Sequence, residues 1–147
     1  MGKNRYFKSK GMSIALQMAI MKQTYSHFRC VSAKNSVEWT GTIRPTAMSE
    51  EYEVRIQYKY GDTPKVWVVR PQIKRRSSEE PIPHIYPSNR LCLYLPGTGQ
   101  WTRQKSVADT IIPWTALWLY HYEVWHTTGE WLGGGHGTPK CEDEEAE

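Results

Sequence analysis

Val37-Glu38-Trp39-Thr40-Gly41-Thr42-Ile43 and then Tyr52-Glu53-Val54-Arg55-Ile56-Gln57-Tyr58-Lys59-Tyr60 are the two runs that decide the fold class of this chain. In the first, Val37, Trp39, Gly41 and Ile43 share one side, with Glu38, Thr40 and Thr42 between them. In the second, Tyr52, Val54, Ile56, Tyr58 and Tyr60 alternate with Glu53, Arg55, Gln57 and Lys59. Strict alternation is the period of a strand with one face on a core and the other in water. Pro45 to Glu50 separates the two runs as a turn, Gly61-Asp62 makes another, and Val66 to Val69 reads as a further short strand. Strands so closely spaced pair as an antiparallel meander.

Helical spacing flanks the meander. Ser13 is placed to cap a helix. After it Ile14, Met18, Met21, Tyr25 and Phe28 recur at helical intervals, which predicts a helix from about Ile14 to His27 with these residues facing the core. At the other end Ser106 and Asp109 form a capping pattern, and Pro113 is expected to break or restart the helix. A second helix is predicted from about Trp114 to Thr127. It is apolar nearly all round, through Trp114, Leu117, Trp118, Leu119, Tyr120, Tyr122, Val124 and Trp125, so it is expected to be buried or covered by a partner.

The 147 residues suit one domain. Its expected body spans 11–132, between a flexible basic arm at 1–10, with Lys3, Arg5, Lys8 and Lys10, and a flexible acidic tail at 133–147. The net charge is +4, and the acids crowd into Glu142 to Glu147, so the body is the more basic part. A basic body suits an acidic protein face or a nucleic acid. The aromatic residues sit at core spacings and no nucleic-acid-binding motif appears, so nucleic acid is not the expected partner. No apolar run is long enough to span a membrane, and no secretory leader is seen, which predicts a cytoplasmic protein with reduced thiols. Cys30, Cys92 and Cys141 are odd in number and widely spaced, against a disulfide framework. Cys141, His136, His126 and His121 match no standard zinc spacing, so neither metal nor cofactor is expected. Cys30 reads as a small core residue.

Pro71 to Pro87 is a long, proline-rich connection that runs into Asn89-Arg90-Leu91-Cys92-Leu93, before Pro96-Gly97-Thr98-Gly99 turns the chain again. With Leu91 and Leu93 packed inward, the strand period turns Cys92 to the other face, and Arg90 to the same side as Cys92. A thiol beside a loop is a candidate nucleophile, since the thiolate is the attacking form and a neighbouring cation enlarges its share.

The order helix, meander, proline-rich loop, lone cysteine, Trp and helices resembles the ubiquitin-conjugating enzyme family. The matching pieces are Trp39-Thr40-Gly41-Thr42-Ile43 with Pro45, Pro64-Lys65-Val66 leading to Pro71, His84, Leu91-Cys92-Leu93, and Gln100-Trp101-Thr102. Trp114 to Tyr120, Glu123-Val124-Trp125 and Gly129-Glu130-Trp131-Leu132-Gly133 are similar to the ending of its bacterial branch, found in CBASS-type anti-phage operons. The resemblance implies an α+β fold: an N-terminal helix, a four-stranded antiparallel meander, a catalytic-cysteine loop and C-terminal helices. It implies a cysteine transferase in which Cys92 carries a protein's C-terminal acyl group as a thioester and passes it to an amine. The implied partners are a companion cGAS-like nucleotidyltransferase, whose C-terminal tail is the donor and whose activity conjugation would regulate, and a ubiquitin-activating-like enzyme. The family's His-Pro-Asn pattern is not matched, because Ile85 and Tyr86 follow His84. The oxyanion or supporting group is therefore open among His84, Tyr86, Asn89 and backbone amides. Arg75, Arg76, Trp101 and Trp118 are the candidate partner-binding residues. The alternative is a non-catalytic member of the same fold that clamps the nucleotidyltransferase.

Overall fold

A computed structural model describes residues 11–95 and 97–133. The basic arm, the tail after Gly133, Cys141 and His136 lie outside the described residues. The chain runs α1 (Ile14–Thr24), β1 (Arg29–Ala33), β2 (Ser36–Ile43), β3 (Tyr52–Lys59), β4 (Lys65–Arg70) and α2 (Val107–Thr128). The strands pair in chain order as one antiparallel sheet, β1-β2-β3-β4. The expected α+β architecture holds, with one helix rather than two at its C-terminal side.

Alternation becomes packing in the two central strands. Val37, Trp39, Ile43, Tyr52, Val54, Ile56 and Tyr58 are buried, and the residues between them are wetter. At 41 the inward position holds glycine because the Phe28 ring occupies the space of a side chain: a Cβ there would sit 2.5 Å from Phe28 Cγ. Met21 from α1 and Ile111, Leu119 and Trp125 from α2 close the same core. β1 carried no readable pattern because all of its residues are exposed along the sheet edge. Cys30 lies on this strand, free and exposed, which corrects its reading as a core residue.

α1 begins as expected, with the Ser13 hydroxyl accepting from the Leu16 N–H. It ends at Thr24, three residues short of His27, because Tyr25 leaves helical geometry and its N–H closes on the Met21 carbonyl. α2 runs through Pro113 without a break. A proline inside a helix forfeits one hydrogen bond and costs about 3 kcal/mol. Leu119 and Trp125, beyond the proline, are buried with Ile111 and Ile112 before it. Each such side chain contributes roughly 1.5–3 kcal/mol on burial, so continuing the helix wins. Ser106 caps it, its Oγ accepting from the Asp109 N–H at 3.0 Å and donating to the Asp109 carboxylate at 2.8 Å. Gly129, at φ 86°, ends it with an N–H to the Trp125 carbonyl.

Gln17 joins the two helices. Its side chain is 0% exposed, donating from Nε2 to the Lys105 carbonyl and accepting from the Val107 N–H at Oε1. It thus satisfies one of the amides that the first turn of α2 leaves without an intrahelical partner. Gln17→Leu keeps the volume and strands both backbone groups. The expected cost is about 1–3 kcal/mol in urea unfolding, whereas Gln23→Leu on the exposed side of α1 should change stability by no more than about 0.5 kcal/mol.

Candidate functional site

The proline-rich connection is strapped along α2. The Lys74 N–H donates to the Tyr122 hydroxyl at 2.8 Å. Arg76 pairs with Glu80 at 2.9 Å and donates from Nε to the His126 carbonyl. Glu80 in turn accepts from Trp125 Nε1 at 3.1 Å. These bonds bring the chain along the helix to His84, where a short hairpin begins.

The hairpin spans 84–92 and positions the cysteine. Ile85 and Leu91 form an antiparallel bridge, the Tyr86 N–H donates to the Arg90 carbonyl, and the Asn89 N–H donates to the Tyr86 carbonyl. Asn89 turns the chain at φ 69°, a left-handed conformation that asparagine tolerates better than most residues. Leu91 docks the hairpin on the sheet: its N–H donates to the Val66 carbonyl on β4 and its side chain enters the main core. The next residue, Cys92, points off that core, as the strand period requires, and packs with Tyr86 in a separate buried cluster.

The His84 carbonyl is the hub of this arrangement. It accepts from the Cys92 N–H at 3.0 Å and from Trp118 Nε1 at 2.8 Å. His84 itself sits at φ 55°, a left-handed backbone that is uncommon outside glycine, though histidine adopts it more readily than most residues. Its ring lies 5.1 Å from the Trp131 ring, which also meets Trp118 at 5.2 Å and His121 at 5.9 Å. Burial, and then the neighbouring His121, hold the His84 imidazole below the ordinary histidine value of 6.5; burial does the same to His121. Neither ring is therefore inclined to carry a proton near neutrality.

Cys92 differs from expectation in two respects. It is 6% exposed rather than open to solvent, and it is disulfide-bonded rather than a reduced thiol. Its sulfur lies 3.8 Å from the Tyr94 carbonyl. Of the candidate supporting groups, His84 and Tyr86 are brought against it, His84 through its backbone carbonyl and Tyr86 through packing. Asn89 lies exposed at the hairpin turn.

The two tryptophans assigned to partner binding hold the interior instead. Trp101 packs edge-on to Tyr58 at 5.5 Å and donates to the Thr110 hydroxyl. Trp118 is 4% exposed, stacked on Tyr122 and bonded to His84. Both rings are buried, so neither offers a surface to a partner. Arg76 is committed to Glu80 and α2, while Arg75 is exposed, donating to the Ser78 carbonyl. The all-round apolar character of α2 is resolved the same way: most faces are buried, and Leu117 and Tyr120 remain exposed.

The clearest residue under-read from sequence is Arg90. It is 6% exposed, with its guanidinium carbon 4.1 Å from the centroid of the Tyr86 ring. Its position two residues before Cys92 was the available signal; its burial was not readable, because an isolated arginine in a loop is ordinarily solvated. Among the described residues no cluster of His, Cys, Asp and Glu is arranged to hold a metal ion, and no helix is long and apolar enough to cross a membrane.

Comparison with known families gives a match to the model described as "Type II CBASS E2 protein", over residues 17–139. The match takes in most of α1, the sheet, the Cys92 hairpin and all of α2. A search of curated proteins finds no match.

The lowered histidines give this region a pH dependence. Where the folded value lies below the unfolded one, the unfolded chain binds more protons, so stability rises with pH. The expected outcome is a urea midpoint that falls as pH drops below about 6.5. In the double variant His84→Gln, His121→Gln that part of the slope should vanish.

Proposed function

The chain belongs to the family of Type II CBASS E2 proteins, and from that premise we propose that Cys92 is an acyl-carrying nucleophile in anti-phage defence. The observation that carries the proposal is the hairpin. It drives Leu91 into the core and sets Cys92 off it, against Tyr86. That arrangement fixes one sulfur on a mount held by backbone hydrogen bonds to His84 and β4.

The chemistry has two steps. The Cys92 thiolate attacks the acyl carbon of an activated donor, a thioester on an activating enzyme, and expels the donor's thiolate. An amine then attacks the Cys92 thioester; the amide forms, the sulfur leaves as thiolate, and the amine proton passes to solvent. Both steps pass through a tetrahedral oxyanion, so the site's task is placement and charge stabilisation. The donor in this reading is the C-terminal tail of a companion cGAS-like nucleotidyltransferase, activated by a ubiquitin-activating-like enzyme. Conjugation regulates that synthase in the cytoplasm. Backbone amides of the hairpin, His84 and Tyr86 are the groups near enough by chain geometry to support the oxyanion.

Cys92 in a disulfide cannot attack a carbonyl. Two electrons from a thiol reductant must first return it to the thiol. Cys92 is also only 6% exposed. The second reading, a non-catalytic clamp for the nucleotidyltransferase, draws on that same low exposure and on the unmatched His-Pro-Asn pattern.

A charging assay separates the two. The protein is pre-reduced, freed of reductant, and mixed with the nucleotidyltransferase, the activating enzyme and ATP. A thiol-sensitive adduct on a non-reducing gel is expected, absent in Cys92→Ala, present in Cys30→Ala, and absent without pre-reduction. Cys92→Ser should instead yield a thiol-resistant oxyester. A stable complex with no adduct from the wild-type protein leaves only the clamp.

A further inference from the structure

Trp101, Trp118 and Trp125 are buried, and each donates its indole N–H inside the protein. A buried indole needs an acceptor of some kind. Trp101 uses the Thr110 hydroxyl and Trp125 the Glu80 carboxylate, both side-chain groups. Trp118 instead uses a backbone carbonyl, that of His84, at 2.8 Å. The same oxygen accepts from the Cys92 N–H at 3.0 Å. Satisfying an indole accounts for a bond; it does not account for the choice of the carbonyl that also holds the backbone of the cysteine.

The indole is not free to follow a moving hairpin. Its ring is stacked on Tyr122 at 5.7 Å with an interplanar angle of 8°, and it meets Trp131 edge-on at 5.2 Å. Tyr122 is held in turn, its hydroxyl accepting from the Lys74 N–H at 2.8 Å. Thr115 and Leu119, on either side of Trp118 in α2, are fully buried. The hairpin has a second tether in the Leu91 N–H, which donates to the Val66 carbonyl at 2.9 Å. Successive residues are thus fixed to different elements: Leu91 to β4, and Cys92 through His84 to α2. None of these bonds uses the sulfur, so they belong to the mount and not to the redox state of Cys92. His84 sits at φ 55°, and losing the indole would remove one of the contacts that hold this uncommon backbone.

We infer that Trp118 is a positioning residue for Cys92: its indole N–H fixes the His84 carbonyl, and that carbonyl fixes the backbone from which the sulfur projects. The inference rests on the acyl-transfer reading and deepens it. In that reading the task of the site is placement, and a displacement of about 1 Å can cost up to ~100-fold in rate. Trp118 touches neither donor nor amine and acts through His84 alone.

The test pairs a structural readout with a kinetic one on the fully reduced chain. Trp118→Phe removes the N–H and keeps an aromatic ring. Tyr52→Phe is the control: it removes another buried donor to α2, bonded to Glu123 at 2.7 Å, with no bond to the hairpin. Amide hydrogen exchange at Cys92, followed by NMR, is expected to speed up about tenfold in Trp118→Phe and to stay at the wild-type rate in Tyr52→Phe. In the charging assay, kcat for transfer to the amine should fall roughly tenfold in Trp118→Phe with the donor KM unchanged, and neither should move in Tyr52→Phe. In the wild type, the Trp118 indole proton and the Cys92 amide proton should show the same protection, because they share an acceptor and open together. Protection that differs more than about tenfold between them overturns the inference even where a variant does not fold. So does a Trp118→Phe protein whose Cys92 exchange is unchanged, or whose transfer slows only through KM, or whose effects Tyr52→Phe reproduces. Exchange reports the mount without any donor. A wild-type protein that forms no adduct while Trp118→Phe still frees the Cys92 amide therefore sinks the transferase reading, and with it the catalytic purpose of the tether, but not the tether itself.

Discussion

One carbonyl oxygen ties the candidate site to the C-terminal helix. The His84 carbonyl takes a hydrogen bond from Cys92 N–H on its own hairpin and another from the indole of Trp118 on α2. A carbonyl has two lone pairs, so both bonds are accommodated, and a buried indole N–H needs such a partner. The bond from Trp118 crosses 34 residues of chain, and its donor sits on a helix anchored by Leu119 and Trp125 in the main core. A shift of α2 would therefore reach Cys92 through a single intermediate residue. The left-handed backbone of His84 is tolerated because these bonds, and the ring packed beside Trp131, over-determine its position.

The sheet anchors the hairpin on the other side. Leu91 N–H completes the β4 edge at Val66, and the leucine side chain joins the core that the alternating strands build. One backbone group of the edge strand is thus paired by the hairpin carrying the cysteine, while the end of β4 at Val69 and Arg70 stays exposed. The opposite edge, β1, has no such cover among the described residues and is exposed throughout. The two ends of the sheet differ in kind: one carries the docked hairpin and the other faces solvent.

Legibility in the sequence followed the physics of each signal. The period of two in 37–43 and 52–60 reports a face on a core, and it located β2 and β3 because that face is in fact buried. β1 has no core face, so its sequence carried no period to read. Pro113 was read by its local cost, and the burial of residues on both sides of it outweighed that cost. Trp101 and Trp118 show the limit for aromatic residues. Composition marks them as large and amphipathic, which suits a surface or a core, and only the partners Thr110 and His84 decide between the two.

Cys92 itself was legible by direction but not by environment. The strand period correctly turned it away from the side Leu91 takes. It said nothing of the second cluster that closes over it, because Tyr86 reaches that position through the hairpin turn and not through any spacing along the strand. A low-dielectric cover is not in itself hostile to thiolate chemistry; it strengthens whatever charge is placed beneath it. With a neutral lining such a pocket suppresses the thiolate, and any donor or cation that reaches it acts with more force than it would in water. The packing that removes water from Cys92 therefore sets how strongly its surroundings act on the sulfur.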